Sequence, residues 1–135
     1  MIVWGVTLKD NDFFVYCSTD SENVVVRFIG SEIHSFICGM IHCDEFEVVP
    51  SDFRINGNRI YILVDSNGYQ KSPLLINSVG TYMVRGQIFV GDIVLCCLDD
   101  DGSIIGFDAA AARRLALMMM PSGVHDCEPI DYIDL

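Results

Sequence analysis

Residues 53–64 read Phe-Arg-Ile-Asn-Gly-Asn-Arg-Ile-Tyr-Ile-Leu-Val, and they indicate the fold class most directly. Asn56-Gly57 stands between two short runs with apolar ends. A two-residue type I′ turn needs positive φ at both central positions, which Asn and Gly tolerate. The stretch therefore predicts a tight β-hairpin whose second strand continues over residues 60–64. Because tight hairpins join antiparallel strands, we expect an antiparallel or mixed sheet.

Upstream of the hairpin, the spacing of apolar residues changes from helical to alternating. Five apolar residues form a stripe at helical spacing: Ile33, Phe36, Ile37, Met40 and Ile41. The stripe predicts an amphipathic helix over about residues 31–42, with Ser31 as its N-cap and the stripe against a core. Residues 44–49 then alternate apolar and acidic side chains, which predicts a half-exposed strand that ends at Pro50.

The rest of the chain supplies further strands and one more helix. Strands are predicted over residues 1–8, 13–18, 24–29, 93–98 and 103–107, with extended chain over 69–76 and a looser segment over 80–86. The run over 93–98 is apolar throughout, so both of its faces should be buried. Asp108 is a good N-cap for a second helix over residues 109–119. We therefore predict an α+β fold, in which two short helices pack on a twisted, mostly antiparallel sheet.

Two segments resemble a small domain-of-unknown-function family of bacteriophages and mobile elements: 60–77, IYILVDSNGYQKSPLLIN, and 86–97, GQIFVGDIVLCC. Members of that family have a strand and a short amphipathic helix before an Asn/Gly hairpin, then a Leu-rich segment ending in Asn and a Gly-led strand. The matching positions are the turn over 65–68, Asn77 and the strand after Gly91, within about residues 24–115. Ser66-Asn67 replaces an acidic residue of the family hairpin. The resemblance implies a phage-like origin and an accessory or anti-defence role, and no established activity.

The composition of the chain excludes several classes of protein. Of its 135 residues, 51% are hydrophobic, which is too many for an intrinsically disordered chain. The length fits one domain, which we place at 1–123, followed by an acidic tail over 124–135. Eight basic and 19 acidic residues give a formal net charge of −11. Such a molecule repels phosphate, so direct binding to nucleic acid or to a membrane is not expected.

The six cysteines indicate a reducing compartment. The first residues have neither the basic region nor the cleavage site of a signal peptide, which favours the cytoplasm. Free thiols are therefore expected at all six positions: Cys17, Cys38, Cys43, Cys96, Cys97 and Cys127. Cys96 and Cys97 are neighbours in a strand, so their side chains should point to opposite faces of the sheet.

Residues 38–43 are the first candidates for metal or thiol chemistry. Cys38 and His42 share a helical face next to Cys43, and zinc would need further ligands such as His125 and Cys127 from the tail. No C-x-x-C pair and no Gly-rich phosphate loop occurs, so we predict no metal, no cofactor and no enzyme activity, while a metal at the Cys38/His42/Cys43 cluster stays open. His34 lies one turn before Cys38, so the two side chains can meet, but Cys38 lies next to the apolar stripe and has no helix N-terminus to activate its thiol.

Clustered acidic residues carry the leading functional hypothesis. The chain is interpreted as a non-enzymatic acidic protein of phage or mobile-element type that inhibits a basic host or defence protein by occupying its nucleic-acid-binding site. Formation of a homodimer is left undecided. The predicted contact residues fall in two clusters: Asp44, Glu45 and Glu47, and Asp99, Asp100 and Asp101.

The alternative hypothesis is a small-ligand binder, such as a sponge for a nucleotide signal. Arginines would hold phosphate and tyrosines would stack on a base. The candidates are Arg54, Arg59 and Arg85 with Tyr61, Tyr69 and Tyr82.

Overall fold

The computed structural model describes residues 11–20 and 22–118, which form an antiparallel sheet with helices on both of its faces. In chain order the elements are β1 (Phe13–Cys17), β2 (Asn23–Arg27), α1 (Ile33–Ile41), β3 (Phe46–Ile55), β4 (Asn58–Asp65), a 3-10 turn (Gly68–Gln70), α2 (Ser78–Met83), β5 (Ile93–Leu98), β6 (Ile104–Ile105) and α3 (Ala109–Met118). The strand order is β2-β1-β5-β4-β3, and β6 pairs with β5. The predicted α+β fold is confirmed. The predicted strand over 1–8 and the acidic tail over 124–135 lie outside the described residues.

The β3–β4 hairpin forms where the sequence predicts it. Asn56 and Gly57 have φ values of 52° and 82°, and Arg54 lies directly opposite Arg59 across the two strands. The prediction that the upstream strand ends at Pro50 is wrong, because β3 continues through a register shift between Pro50 and Arg54. Proline is tolerated at this position because β3 is an edge strand, where a missing N–H disrupts no ladder hydrogen bond inside the sheet.

The central strand β5 divides the core into two layers. Val94 and Cys96 pack towards α1, whereas Ile93, Leu95 and Cys97 pack towards α2 and α3. All five side chains are buried, as predicted for an apolar run between two layers. The predicted opposite orientation of Cys96 and Cys97 is confirmed.

Helix α1 covers one face of the sheet through the predicted apolar stripe. Ile37 and Ile41 are buried against the sheet, while the other three residues of the stripe are partly exposed at its margins. The helix begins two residues later than expected, and the prediction of Ser31 as N-cap is wrong. Glu32 holds that position and its side chain makes no capping hydrogen bond, so packing of the stripe, rather than a cap, fixes the helix.

The segment between β4 and β5 differs most from the sequence prediction. The extended chain expected over 69–76 contains the 3-10 turn, and the looser segment expected over 80–86 contains part of α2. Asn77 explains the second difference. Its side-chain oxygen accepts from the Gly80 amide at 3.1 Å, while its amide group donates to the carbonyls of Cys17 and Gly91. The side chain of a fully buried residue thus caps α2 and ties it to the sheet.

Helix α3 covers the opposite face from α1. Asp108 caps it as predicted, since its carboxylate accepts from the Ala111 amide at 2.8 Å. Its small side chains Ala111, Ala112 and Ala116 are buried with Leu115, which lets the helix approach the sheet closely.

Candidate functional site

The first predicted acidic cluster lies where β3 begins, at the edge of the sheet. Phe46 pairs with Asp65 and Glu47 pairs with Val64. The backbone of Glu45 is fixed to the neighbouring turn, since its carbonyl accepts from the Ser66 amide at 3.0 Å. Asp44, Glu45 and Glu47 are all exposed. Within the described part of the chain, the carboxylates of Glu45 and Glu47 have no hydrogen-bond or ion-pair partner.

The second predicted cluster, Asp99–Asp101, lies at the opposite end of the sheet. On β4, Tyr61 pairs with Cys96 of β5 while Asp65 pairs with Phe46 of β3, so the turn after β5 lies about seven residues along β4 from the first cluster. At about 3.3 Å per residue the two clusters are roughly 20 Å apart. The six predicted contact residues therefore do not share one small surface.

Asp99 stabilises the turn to which it belongs. Its carboxylate accepts from the amides of Asp101 and Ser103, both at 2.9 Å. Beside the turn is a cleft of about 280 Å³, whose lining includes Asn56, Asn58 and Asp108. Of the three aspartates, only Asp100 and Asp101 have carboxylates that are exposed to solvent without a hydrogen bond in the turn.

The C-terminal end of α1 lies next to the first acidic cluster. His42 adopts the left-handed conformation, with φ of 57°, and the Cys43 amide donates to the Cys38 carbonyl at 3.0 Å. This is the geometry of a Schellman motif. Lys71 donates to the His42 carbonyl at 3.0 Å and pairs with Asp65 at 2.5 Å. The hydrogen bond to Asp65 raises the pKa of Lys71, so one lysine both closes the helix end and neutralises an adjacent carboxylate.

A cavity of about 410 Å³ opens between this helix end and the segment after the 3-10 turn. Its apolar lining includes Ile41, Pro73, Leu74, Leu75 and Val90, and its polar lining includes His42, Asp65, Lys71 and Asp92. Leu74 and Leu75 are 55% and 52% exposed, so part of the apolar wall faces solvent. An apolar cavity with a few charged groups at its rim is the usual form of a binding site.

Asp92 closes one side of the cavity through two long-range hydrogen bonds. Its carboxylate accepts from the Tyr16 hydroxyl at 2.5 Å and from the Thr19 amide at 3.0 Å. Burial and the hydrogen bond to Asp92 raise the pKa of Tyr16, so the phenol keeps its proton and stays a donor. The position of this acidic group is therefore fixed by β1.

The sequence did not identify the cavity residues as a site. Leu74 and Leu75 are the residues that could have indicated it. They are two adjacent leucines in a segment with a 3-10 turn and no strand, so no regular element buries them in the core. Nothing local, however, predicts that they meet His42 and Asp92, which belong to distant segments.

The cysteines fall into two groups. Cys17, Cys96 and Cys97 are buried, and burial raises the pKa of each thiol. Cys38 and Cys43 are partly exposed at the end of α1. All five are free thiols, while Cys127 lies outside the described residues.

His34 and Cys38 are in contact, with Nδ1 at 3.7 Å from the sulfur. The Cys38 sulfur also donates to the Asp44 carbonyl at 3.6 Å. Across residues 11–20 and 22–118, no group of three or more His, Cys, Asp or Glu side chains is arranged to hold a metal ion. The candidate ligands His125 and Cys127 lie outside those ranges.

The residues of the alternative ligand site are only partly brought together. Arg59 and Tyr61 lie two residues apart on the α1 face of β4, and Arg54 lies opposite Arg59. The other three are elsewhere. The Arg85 amide donates to Asp52 at 2.8 Å, Tyr82 stacks on Phe53 at 5.4 Å, and the Tyr69 hydroxyl donates to the Ile88 carbonyl.

Comparisons with known proteins give no relative: no family model, curated protein or solved structure matches the chain. Among the described residues, no helix is long and apolar enough to cross a membrane.

Proposed function

We propose that this protein is a non-enzymatic binding protein that holds a basic segment of another protein at the C-terminal end of α1. The observation that carries the proposal is the position of two exposed carboxylates without partners, Glu45 and Glu47, at the start of β3 and within five residues of His42, which lines the apolar-walled cavity. In its full form the proposal is that a phage or mobile element uses this surface in the cytoplasm to block the nucleic-acid-binding site of a host or defence protein.

The electrostatics of this region support a basic partner. Asp44, Glu45 and Glu47 follow within five residues of His42 at a helix C-terminus, and Asp92 lines the same cavity as His42; the free carbonyls of the helix end carry a partial negative charge of their own. Lys71 offsets Asp65 alone. A Lys or Arg side chain would therefore meet acceptors that are already in place, and a field of one sign would speed its approach.

The cavity supplies an apolar contact surface, which charge alone does not. Exposed ion pairs contribute little to affinity, and interfaces depend on apolar anchors in pockets. The exposed side chains of Leu74 and Leu75 form a wall against which a Leu, Ile or Phe of the partner could be buried. A segment that combines basic and apolar side chains fits this surface better than a purely basic one.

The edge strand itself favours contact through side chains. Pro50 offers no N–H to a partner strand, and the register shift after it interrupts the regular edge. In the same part of β3 the Ser51 hydroxyl accepts from the Phe53 amide at 3.1 Å. These features disfavour addition of a long partner strand to β3.

The origin and the inhibitory role rest on sequence. Residues 24–115 resemble a phage and mobile-element family, and a net charge of −11 mimics the sign of nucleic acid. Cytoplasmic placement rests on the cysteine content, because unpaired thiols are typical of reducing compartments.

Affinity capture followed by a matched pair of charge-reversal variants tests the proposal. Proteins captured from a bacterial lysate are identified by mass spectrometry, and the isolated partner is titrated with E45K/E47K and with D100K/D101K. Both variants change the net charge equally, at opposite ends of the sheet. We expect the first to weaken binding roughly thirtyfold, about 2 kcal/mol, and the second to bind almost normally. Equal losses in both variants would mean that the partner responds to net charge alone, and the proposed site would be wrong.

A second candidate function is binding of a small anion such as a nucleotide. The observation that favours it is the Arg54–Arg59 pair, two like charges held directly opposite each other on the face that also carries Tyr61. Such a pair is unfavourable in an empty hairpin and becomes favourable around a phosphate. Calorimetric titration with ATP should show binding that R59Q abolishes and that R113Q, an exposed change on α3, leaves intact. Absence of heat with the wild-type protein would count against a nucleotide ligand.

A further inference from the structure

The end of α1 holds two thiols next to each other. In a Schellman motif the side chain after the left-handed residue contacts the one five positions earlier, and those positions here are Cys43 and Cys38. The 3.0 Å hydrogen bond between their backbones holds the two residues in this arrangement. A pair of apolar side chains would serve the motif equally well, so two cysteines suggest a use for their sulfur chemistry.

The surroundings of Cys38 differ from those of the buried cysteines. Its sulfur lies 3.7 Å from Nδ1 of His34, which can accept the thiol proton, and 3.6 Å from the Asp44 carbonyl. It is also partly exposed, so a small reagent can reach it. Cys17, Cys96 and Cys97 lie inside the core, at most 5% exposed, and are closed to the same reagent.

The two thiols of the pair are not equivalent. Burial and the hydrogen bond to Cys38 raise the pKa of Cys43 to about 12. Cys43 therefore stays protonated at neutral pH. Since the thiolate is the form that attacks an oxidant, and Nδ1 of His34 lies 3.7 Å from the Cys38 sulfur as a base, Cys38 is the residue that reacts first.

We propose that Cys38 and Cys43 form a peroxide-sensitive dithiol site that closes reversibly to an intramolecular disulfide. His34 takes the proton of Cys38, and the thiolate attacks one oxygen of hydrogen peroxide. The O–O bond breaks, Cys38 becomes a sulfenic acid, and the departing hydroxide takes up the proton and leaves as water. The Cys43 sulfur then attacks the Cys38 sulfur, the S–O bond breaks, and the hydroxyl leaves with the Cys43 proton as a second water. The sulfurs lose two electrons in total and the peroxide gains them.

The site does not depend on the proposed binding function. A reducing cytoplasm keeps the pair as free thiols at rest, and disulfides in that compartment are typically transient and redox-sensing. The bridge would close a short loop around His42, whose carbonyl accepts from Lys71 beside the cavity. Oxidation would therefore act on the same helix end that we propose as the binding surface.

Oxidation of the purified full-length protein with one equivalent of hydrogen peroxide, followed by peptide mapping, tests the proposal. We expect loss of two free thiols, a Cys38–Cys43 cross-linked peptide, and recovery of both thiols with dithiothreitol. The core cysteines serve as an internal control, since they should react with iodoacetamide only after denaturation. A bridge to Cys127, or no bridge at all, would overturn the proposal.

Trapping with dimedone, a reagent for sulfenic acids, assigns the order of the steps. In C43S the sulfenic acid should accumulate on Cys38, whereas C38S should trap at least tenfold less label on Cys43. H34Q should slow labelling of Cys38 at neutral pH and approach the wild-type rate at high pH, where the thiolate forms without a base. Equal labelling of Cys43 in C38S, with circular dichroism showing both variants folded, would contradict the assigned order.

Discussion

The two acidic ends of the sheet carry similar charge, but their carboxylates have different roles. At one end Asp99 accepts two amides of its own turn, within four residues. At the other end Asp92 accepts from Tyr16 and Thr19, more than seventy residues away, and nearby Glu47 has no side-chain partner in the described chain. An acidic cluster is therefore informative only after its hydrogen bonds are assigned. Carboxylates that already accept hydrogen bonds within a turn are not available to a partner.

The largest expected difference between the two ends concerns their packing. Ile41 is buried beneath the α1 end and Ile105 is half-buried beside the Asp99 turn. Ile41→Ala should cost roughly 2–5 kcal/mol, whereas Ile105→Ala should cost less because its site is already partly open. Urea denaturation of both variants measures the difference. Equal costs would mean that the α1 end depends no more on tertiary packing than the turn does.

The next difference compares Asp92 with Asp99. Asp92→Ala removes a partly buried hydrogen bond from the Tyr16 hydroxyl to a carboxylate, between β1 and the loop before β5, and should cost about 2–3 kcal/mol. Asp99→Ala exposes two amides that water can reach, so we expect about 1 kcal/mol. Thermal unfolding of the two variants gives both values. A larger loss for Asp99→Ala would reverse the interpretation that its turn is local.

Local interactions explain what the sequence could predict. The Asn56-Gly57 turn and the Asp108 cap each depend on residues within a few positions, so their patterns can be read directly. The run over 93–98 is similar, because a fully apolar strand has to be buried on both sides. These elements fix the sheet and α3.

The candidate site was not predictable in the same way. Its position depends on how β4 aligns with β5, which separates Glu47 from Asp100 by the length of a strand. The cavity joins segments that only tertiary structure brings together, such as His42 and Leu75. Helix α2 was missed for the same reason, since Asn77 is held by carbonyls 14 and 60 residues away.

Alkaline titration should distinguish the stability contribution of the Tyr16–Asp92 contact from that of the Asp99 turn. Burial and Asp92 raise the pKa of Tyr16 in the folded state, so its contribution to stability is complete below the unfolded pKa of about 10. That contribution is lost as pH rises through the higher folded pKa. The free energy of unfolding should therefore fall more steeply above about pH 10 in the wild-type protein than in Tyr16→Phe. Asp99→Asn is the control, because its donors are amides that do not titrate there, and it should keep the wild-type slope.

The smallest expected effect tests whether the cost of clustered charge is the same at both ends. Glu45 and Glu47 are exposed and near each other, as are Asp100 and Asp101, and like charges at such spacing destabilise by tenths of a kcal/mol. Glu45→Gln with Glu47→Gln, and Asp100→Asn with Asp101→Asn, should each raise the free energy of unfolding by at most about 0.5 kcal/mol. Both gains should shrink as salt rises, because exposed charges are screened. If the variant with both glutamates replaced were instead less stable than the wild type, the carboxylates would have a role within the fold. The hypothesis that they are available to a basic partner would then have to be abandoned. A neutral or stabilising result would leave binding as the reason for placing unpartnered glutamates at the start of β3.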